Sequence, residues 1–227
     1  MRVLSVTHGP TVPGGVFEET VENKGHTLER WVVPLGGTPQ PPTSYDAVMV
    51  FGGSMHPDQD DEFAWLEGEA EFLRATLADA VPVFGVCLGA QMLARAAGAR
   101  VEPATVPEVG WFEIELTSEG RNDPVLGTLP QPAEAFLWHQ YTFAIPEGGT
   151  ELARTTACTQ SFRLGRSAWA IQFHAEMTLR MLEAWTAEVP SELPVPRDEF
   201  LAVAAARIEL ANEQGRALCE AFLAQAA

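Results

Sequence analysis

Val81-Pro82-Val83-Phe84-Gly85-Val86-Cys87-Leu88-Gly89-Ala90-Gln91-Met92-Leu93 is the stretch that decides the fold. Its first six residues are apolar with no polar face, as a strand covered on both sides must be. From Gln91 to Gly98 the chain carries Ala, Met and Leu in a helical pattern closed by a glycine. Strand passes to helix across Cys87 with a glycine two residues to either side, which leaves no room for a loop. A doubly covered strand feeding a helix is the repeating unit of a parallel α/β sheet. The same grammar holds upstream. Arg2 to His8 reads as a buried opening strand stopped by Gly9-Pro10, and Leu28 to Val33 as a second strand. Ala47-Val48-Met49-Val50-Phe51 reads as a third, ended by Gly52-Gly53. Residues 36–42, dense in Gly and Pro, predict a loop, and Asp61 to Ala80 an amphipathic helix with Phe63, Leu66, Phe72 and Leu77 on one face.

Downstream the pattern changes. Trp111 to Thr117, Ala135 to Trp138, Glu151 to Thr156, Ser161 to Leu164 and Ala168 to Phe173 are short strand candidates separated by turns, which predict antiparallel additions to the sheet. Arg197 to Ala226 reads as a helical extension striped by Phe200, Leu201, Ala204, Ile208, Leu218 and Phe222, to pack on the sheet or on a partner. The Pro-rich segment 188–196 is a bend between helices. The expected architecture is a mostly parallel α/β sheet flanked by helices, with antiparallel strands in the second half. One domain is expected over residues 1–227.

Composition narrows the function classes. Fourteen basic residues stand against 31 acidic ones, a net charge of −17, which opposes binding to phosphate backbones and anionic membranes. No apolar run approaches the roughly 18 residues of a membrane span. Met1 to Pro10 lacks the apolar core and small-residue cleavage site of a signal peptide, so a cytoplasmic location is expected. Cys87, Cys158 and Cys219 are odd in number and widely separated, unlike a zinc site or a disulfide framework, so reduced thiols are expected.

The chemistry centres on Gly85-Val86-Cys87-Leu88-Gly89, which has the form of a nucleophile elbow. The glycines relieve crowding in a strained turn, and the positive end of the following helix favours thiolate over thiol. A thiolate nucleophile needs an imidazole to hold its charge and protonate the leaving group. His174 ends the strand that begins at Ala168, and Glu176 two residues on can bond a ring nitrogen if the chain stays extended. His139 and His56 are the rivals. Neither has a carboxylate at strand spacing, and both are assigned to shaping the pocket or to no role. Gly52-Gly53-Ser54, beyond the end of a buried strand, suits close backbone approach to a ligand. An N–H from this turn and that of Leu88 would hold a tetrahedral oxyanion.

Phe51-Gly52-Gly53-Ser54, Gly85 to Gln91 and Gln172-Phe173-His174-Ala175-Glu176, in this order, resemble the class I glutamine amidotransferases. Asp46 to Val50, Val109-Gly110-Trp111 and Trp138-His139 extend the likeness over nearly the whole chain, most closely to stand-alone members similar to the glutaminase domain of GMP synthase. The resemblance implies a flavodoxin-like sheet, a Cys87, His174, Glu176 triad and no metal or organic cofactor. It implies glutamine as substrate, or in an alternative reading another γ-glutamyl amide or peptide hydrolysed without a partner. It places Gly53 and Leu88 at the oxyanion, and Gly52, Ser54 and Gln91 around the substrate, with Gln91 at its amino-acid end. Members that make a product carry or bind a synthase, so an ammonia acceptor would lie on a separate subunit. A non-catalytic regulatory homologue is the third reading. Two departures stand out: Ala175 where the family usually has Pro, and Gln140-Tyr141 where Gly-Asp is common.

Overall fold

A computed structural model describes residues 1–227. In chain order the strands are β1 (Arg2–Thr7), β2 (Thr27–Val32), β3 (Ala47–Val50), β4 (Val83–Val86), β5 (Val101–Leu116), β6 (Ala133–Phe143), β7 (Gly149–Arg154), β8 (Thr159–Leu164) and β9 (Ala168–Ile171). The helices are α1 (Gly15–Asn23), α2 (Trp65–Ala78), α3 (Leu88–Ala96), the single turn α4 (Ser118–Arg121), α5 (Leu179–Glu188) and α6 (Arg197–Gln225). One nine-stranded sheet runs β2-β1-β3-β4-β9-β8-β7-β5-β6. Its first five strands are parallel, and β8, β7, β5 and β6 continue it antiparallel, so the expected parallel-then-antiparallel sheet is observed.

Strands β3, β4 and β9 are buried at every residue, which is why they read as unbroken apolar runs. Their period-two alternation sorts side chains between two cores. Met49, Phe84, Val86, Trp169 and Ile171 face α1 and the end of α6, among Phe17, Leu218 and Phe222. Val48, Val50, Val83 and Ala170 face α2 and α3, among Leu66, Leu73 and Leu93. A fully buried side chain such as Phe84 contributes about 1.5–3 kcal/mol. A third cluster, Phe136, Met181, Leu182, Trp185, Phe200 and Ala204, seats α5 and the start of α6 against β6.

Several boundaries differ from those the sequence predicts: β6 runs on to Phe143, five residues past Trp138, β7 to β9 shift by about two residues at one end or both, and three further differences shape the site. Helix α2 starts at Trp65, four residues beyond Asp61, because the preceding segment folds as turns. There the His56 N–H donates to Gln59 Oε1, and Arg95 grips the Pro57 carbonyl and Asp60. Helix α3 starts at Leu88, since Cys87 itself serves as its N-cap and the Gln91 N–H donates to the Cys87 carbonyl. Strand β5 begins at Val101, ten residues earlier than expected, and pairs with β6 across an irregularity between Pro103 and Glu108 that the prolines produce.

Chain order in the parallel half is 2-1-3-4-9, so the winding direction reverses between β1 and β3. Ligands of open α/β sheets bind beyond the carboxyl ends of the strands at such a reversal. Four segments leave the sheet at that edge: His8 after β1, Gly52-Gly53 after β3, Cys87 after β4 and Gln172 to Glu176 after β9.

Candidate active site

Cys87 has φ 54° and ψ −110°, a left-handed backbone that few non-glycine residues adopt. The flanking glycines make the turn possible for different reasons. A Cβ on Gly85 would lie 2.6 Å from the Gly89 carbonyl oxygen, and one on Gly89 would lie 2.1 Å from the Val50 carbonyl oxygen. Strand, elbow and helix thus pack backbone against backbone, fastened by the Cys87 N–H on the Ile171 carbonyl (2.8 Å) and the Gly89 N–H on the Phe51 carbonyl (3.2 Å). The thiol is buried and faces the Trp138 carbonyl at 3.8 Å.

His174 lies beside it. The position of a Cβ on Gly52 would be 3.2 Å from His174 Cε1 and 3.8 Å from Cys87 Cβ, so the three residues share one small space. His174 Nδ1 is 2.8 Å from Glu176 Oε1, and both side chains are buried. A carboxylate accepts, so Nδ1 carries the proton and Nε2 is the nitrogen left for chemistry. Burial opposes charge on this imidazole more than any other single influence. The Glu176 carboxylate and the Cys87 sulfur together outweigh it and hold His174 well above its usual 6.5. The Glu176 backbone does not depend on a proline at position 175. Its carbonyl accepts from the Val16 N–H at 2.9 Å, and Gly15 and Gly215 approach so closely that a Cβ on either would fall 1.9 Å from the carbonyl oxygen of Glu176 or Ala175 respectively.

The expected oxyanion donors are the Gly53 and Leu88 N–H groups, and neither donates to any group of the protein. Gly53 is closely enclosed: a Cβ there would be 2.6 Å from Leu88 Cδ2 and 2.9 Å from His8 Cβ. Ser54 lines the same cavity. Gln91 is buried at its wall, where its nitrogen donates to the Tyr141 carbonyl and to Gln172 Oε1, both at 3.1 Å. Its nitrogen is thus committed to the protein, and its carbonyl oxygen is the end left to accept. The cavity is about 290 Å³ and has no Lys or Arg in its wall, while Glu188 and Glu192 stand at its mouth.

The rival histidines occupy the walls. His56 stacks on Tyr141 with ring centroids 4.1 Å apart, and the Tyr141 hydroxyl donates to Asp58 at 3.3 Å. His139 does have a carboxylate, contrary to what local spacing suggests: Glu108, directly opposite on β5, is 3.2 Å from Nε2. Its Nδ1 donates to the Tyr141 carbonyl at 3.0 Å. Glu108 Oε2 also accepts from Thr155, Cys158 and Gln160. These donors, His139 first among them, hold Glu108 below the usual carboxylate range despite burial, its largest single influence. Glu108, His139 and Cys158 place ligand-type atoms within 4.8 Å of one another. Burial pushes the Cys158 thiol up to about 11, and the thiol donates to Glu108 Oε2 at 3.6 Å.

One histidine escaped the sequence reading. His8 and Glu69 form a third buried pair, Nε2 to Oε2 at 2.9 Å, and no spacing rule links residues 61 apart. The only trace in the sequence is the position of His8 at the end of a buried strand.

A doubly wound sheet with a cysteine on a strand-to-helix elbow, beside a carboxylate-paired histidine, is an arrangement used by α/β enzymes with thiol nucleophiles. The chain belongs to the class-I glutamine amidotransferase family, whose model matches residues 21–185. It is 28% identical to the glutamine amidotransferase-like protein YfeJ of Salmonella typhimurium, over 85% of this chain and 83% of that one. It is 35% identical to the glutamine-hydrolyzing GMP synthase of Edwardsiella ictaluri over 43% of this chain, and spans only 20% of that protein. A gamma-glutamyl-L-1-hydroxyisopropylamide hydrolase of Pseudomonas is 28% identical over 64% of this chain and half of its own length. Among solved structures, a glutamine amidotransferase of Thermotoga maritima superposes with a TM-score of 0.89 at 27% identity, covering 98% of both chains.

Proposed function

We propose that the protein hydrolyses the side-chain amide of glutamine through a γ-glutamyl thioester on Cys87, with residues 1–227 acting as one domain. The observation that carries this reading is the elbow cysteine packed against His174, whose Nδ1 is held 2.8 Å from Glu176. The Cys87 thiolate attacks the amide carbon, and the negative oxygen settles between the Gly53 and Leu88 N–H groups. The His174 imidazolium gives its Nε2 proton to the nitrogen as the C–N bond breaks, and ammonia departs. Neutral His174 then takes a proton from water. The resulting hydroxide attacks the thioester, expelling the Cys87 thiolate and leaving glutamate. Gly52 and Ser54 border the substrate, and Gln91 Oε1 receives its α-ammonium group.

Ammonia is released to solvent or to a synthase subunit docked over the cavity. Two relatives' names bear on the substrate, since one is a glutamine-hydrolyzing GMP synthase and the other a hydrolase named for a larger γ-glutamyl amide. A cavity of about 290 Å³ favours keeping small γ-glutamyl amides as a second substrate class. All three cysteines are unpaired, which suits a reducing compartment such as the cytoplasm. No helix is long and apolar enough to cross a membrane.

The test is release of ammonia and glutamate by purified protein given glutamine and a panel of γ-glutamyl amides, beside Cys87→Ala. Turnover with glutamine that Cys87→Ala abolishes supports the reading. Turnover confined to γ-glutamyl amides other than glutamine transfers it to the second substrate class, and turnover that survives in Cys87→Ala removes the thioester mechanism.

A further inference from the structure

His8 is the only histidine at the carboxyl edge of the sheet whose ring contacts the Gly52-Gly53 turn by hydrogen bond. Its Nδ1 is 2.9 Å from the Gly52 carbonyl oxygen. A carbonyl accepts only, so Nδ1 carries a proton. Nε2 faces Glu69 Oε2 at 2.9 Å, both side chains are fully buried, and Trp65 stacks on the ring with centroids 5.7 Å apart. Glu69 is fixed by α2 and has no other partner. Beyond the Trp65 ring, the pair's polar contacts are with the end of β3, where the Gly52 carbonyl at 2.9 Å joins a backbone contact with Phe51.

That peptide joins Gly52 to Gly53 and is trans. In a trans peptide the C=O and N–H point in opposite directions. With the carbonyl turned to His8, the Gly53 N–H points away from it, and the Cβ position of Gly52 faces Cys87 and His174. Two consecutive glycines resist rotation of the intervening peptide very little, so the backbone alone does not choose this orientation. Turned the other way, the carbonyl oxygen would stand where a tetrahedral oxyanion forms and would repel it.

We infer that His8 and Glu69 are positioning residues, which clamp the Gly52–Gly53 peptide by its carbonyl so that the Gly53 N–H is presented to the oxyanion. This rests on the proposed thioester mechanism for its catalytic consequence, though not for the peptide's orientation.

The experiment replaces the pair twice, avoiding single variants that strand a buried charge. His8→Leu/Glu69→Leu removes the clamp with apolar groups. His8→Asn/Glu69→Gln restores a donor, because the Asn amide nitrogen reaches much the same place as Nδ1. Crystal structures of both and steady-state kinetics on the wild type's best substrate are compared. The leucine pair is expected to show the 52–53 peptide reversed or in two orientations. Its kcat should fall about 10²–10³-fold, the loss typical of one oxyanion donor, while KM changes less than about threefold. The Asn/Gln pair is expected to recover the orientation and to bring kcat within about tenfold of wild type.

An unchanged peptide in the leucine pair overturns the inference. So does a kcat loss that persists in an Asn/Gln protein whose peptide is correctly oriented, since the loss would then be general damage to the fold. If the wild type turns over no γ-glutamyl amide, the proposed function fails instead, and the peptide orientation in the two structures decides the clamp by itself.

Discussion

Glu176 keeps the proton on Nδ1 of His174 and favours the charged ring, and a neutral isostere separates these two effects. Glu176→Gln is expected to lower kcat about 10²–10⁴-fold, as loss of the orienting carboxylate does in comparable triads. The pH profile should move as well. In the proposed mechanism His174 is the acid of the first step, and its folded value lies well above 6.5, so the alkaline limb of kcat/KM belongs above that pH in the wild type. The Glu176 charge raises that value, so the limb should shift to lower pH in Glu176→Gln, and an unmoved limb would exclude His174 as the acid. Gly52 is the second residue-scale case. Its φ is not left-handed, but a Cβ would sit 3.2 Å from His174 Cε1. Gly52→Ala should therefore leave the melting temperature nearly unchanged while reducing kcat about tenfold or more, by displacing the imidazole.

At the scale of elements, α6 works as a clamp on the loop that carries His174 and Glu176. Its first turns pack on Phe136 and Trp138, its last turns bury Leu218 and Phe222 under the sheet, and Gly215 lets the helix cross the Ala175 carbonyl between them. Gly215→Ala is expected to destabilise the fold by about 3 kcal/mol, because the obstacle is backbone on both sides. Gly68→Ala, on the exposed face of α2 with nothing within 4 Å, should stabilise it by about 0.5–1 kcal/mol. Urea denaturation of the two variants makes the comparison. The stripe along 197–226 was legible as a helix, yet its two halves face different surfaces, which a single periodic stripe does not convey.

For the molecule as a whole, charge is expected to select what enters the cavity. The chain carries −17, the wall holds no Lys or Arg, and Glu188 and Glu192 stand at the mouth. Among γ-glutamyl amides, those with anionic leaving groups should show kcat/KM at least about tenfold below neutral or cationic ones. The gap should narrow with added salt and in Glu188→Gln/Glu192→Gln; a gap indifferent to both would assign selectivity to shape. Much of this protein follows from its sequence because the relevant forces are local. Burial on both faces makes β3, β4 and β9 unbroken apolar runs, an elbow without room for Cβ atoms demands glycine around Cys87, and residues two apart at a strand's end bring His174 to Glu176. Three buried histidines have a glutamate partner, and only that one pair is written at short range. Glu108 reaches His139 through antiparallel register, and Glu69 reaches His8 because α2 packs over the end of β1. Such pairings arise when the sheet closes and its layers dock, since they join residues 31 and 61 apart whose identities say nothing of each other until packing makes them neighbours.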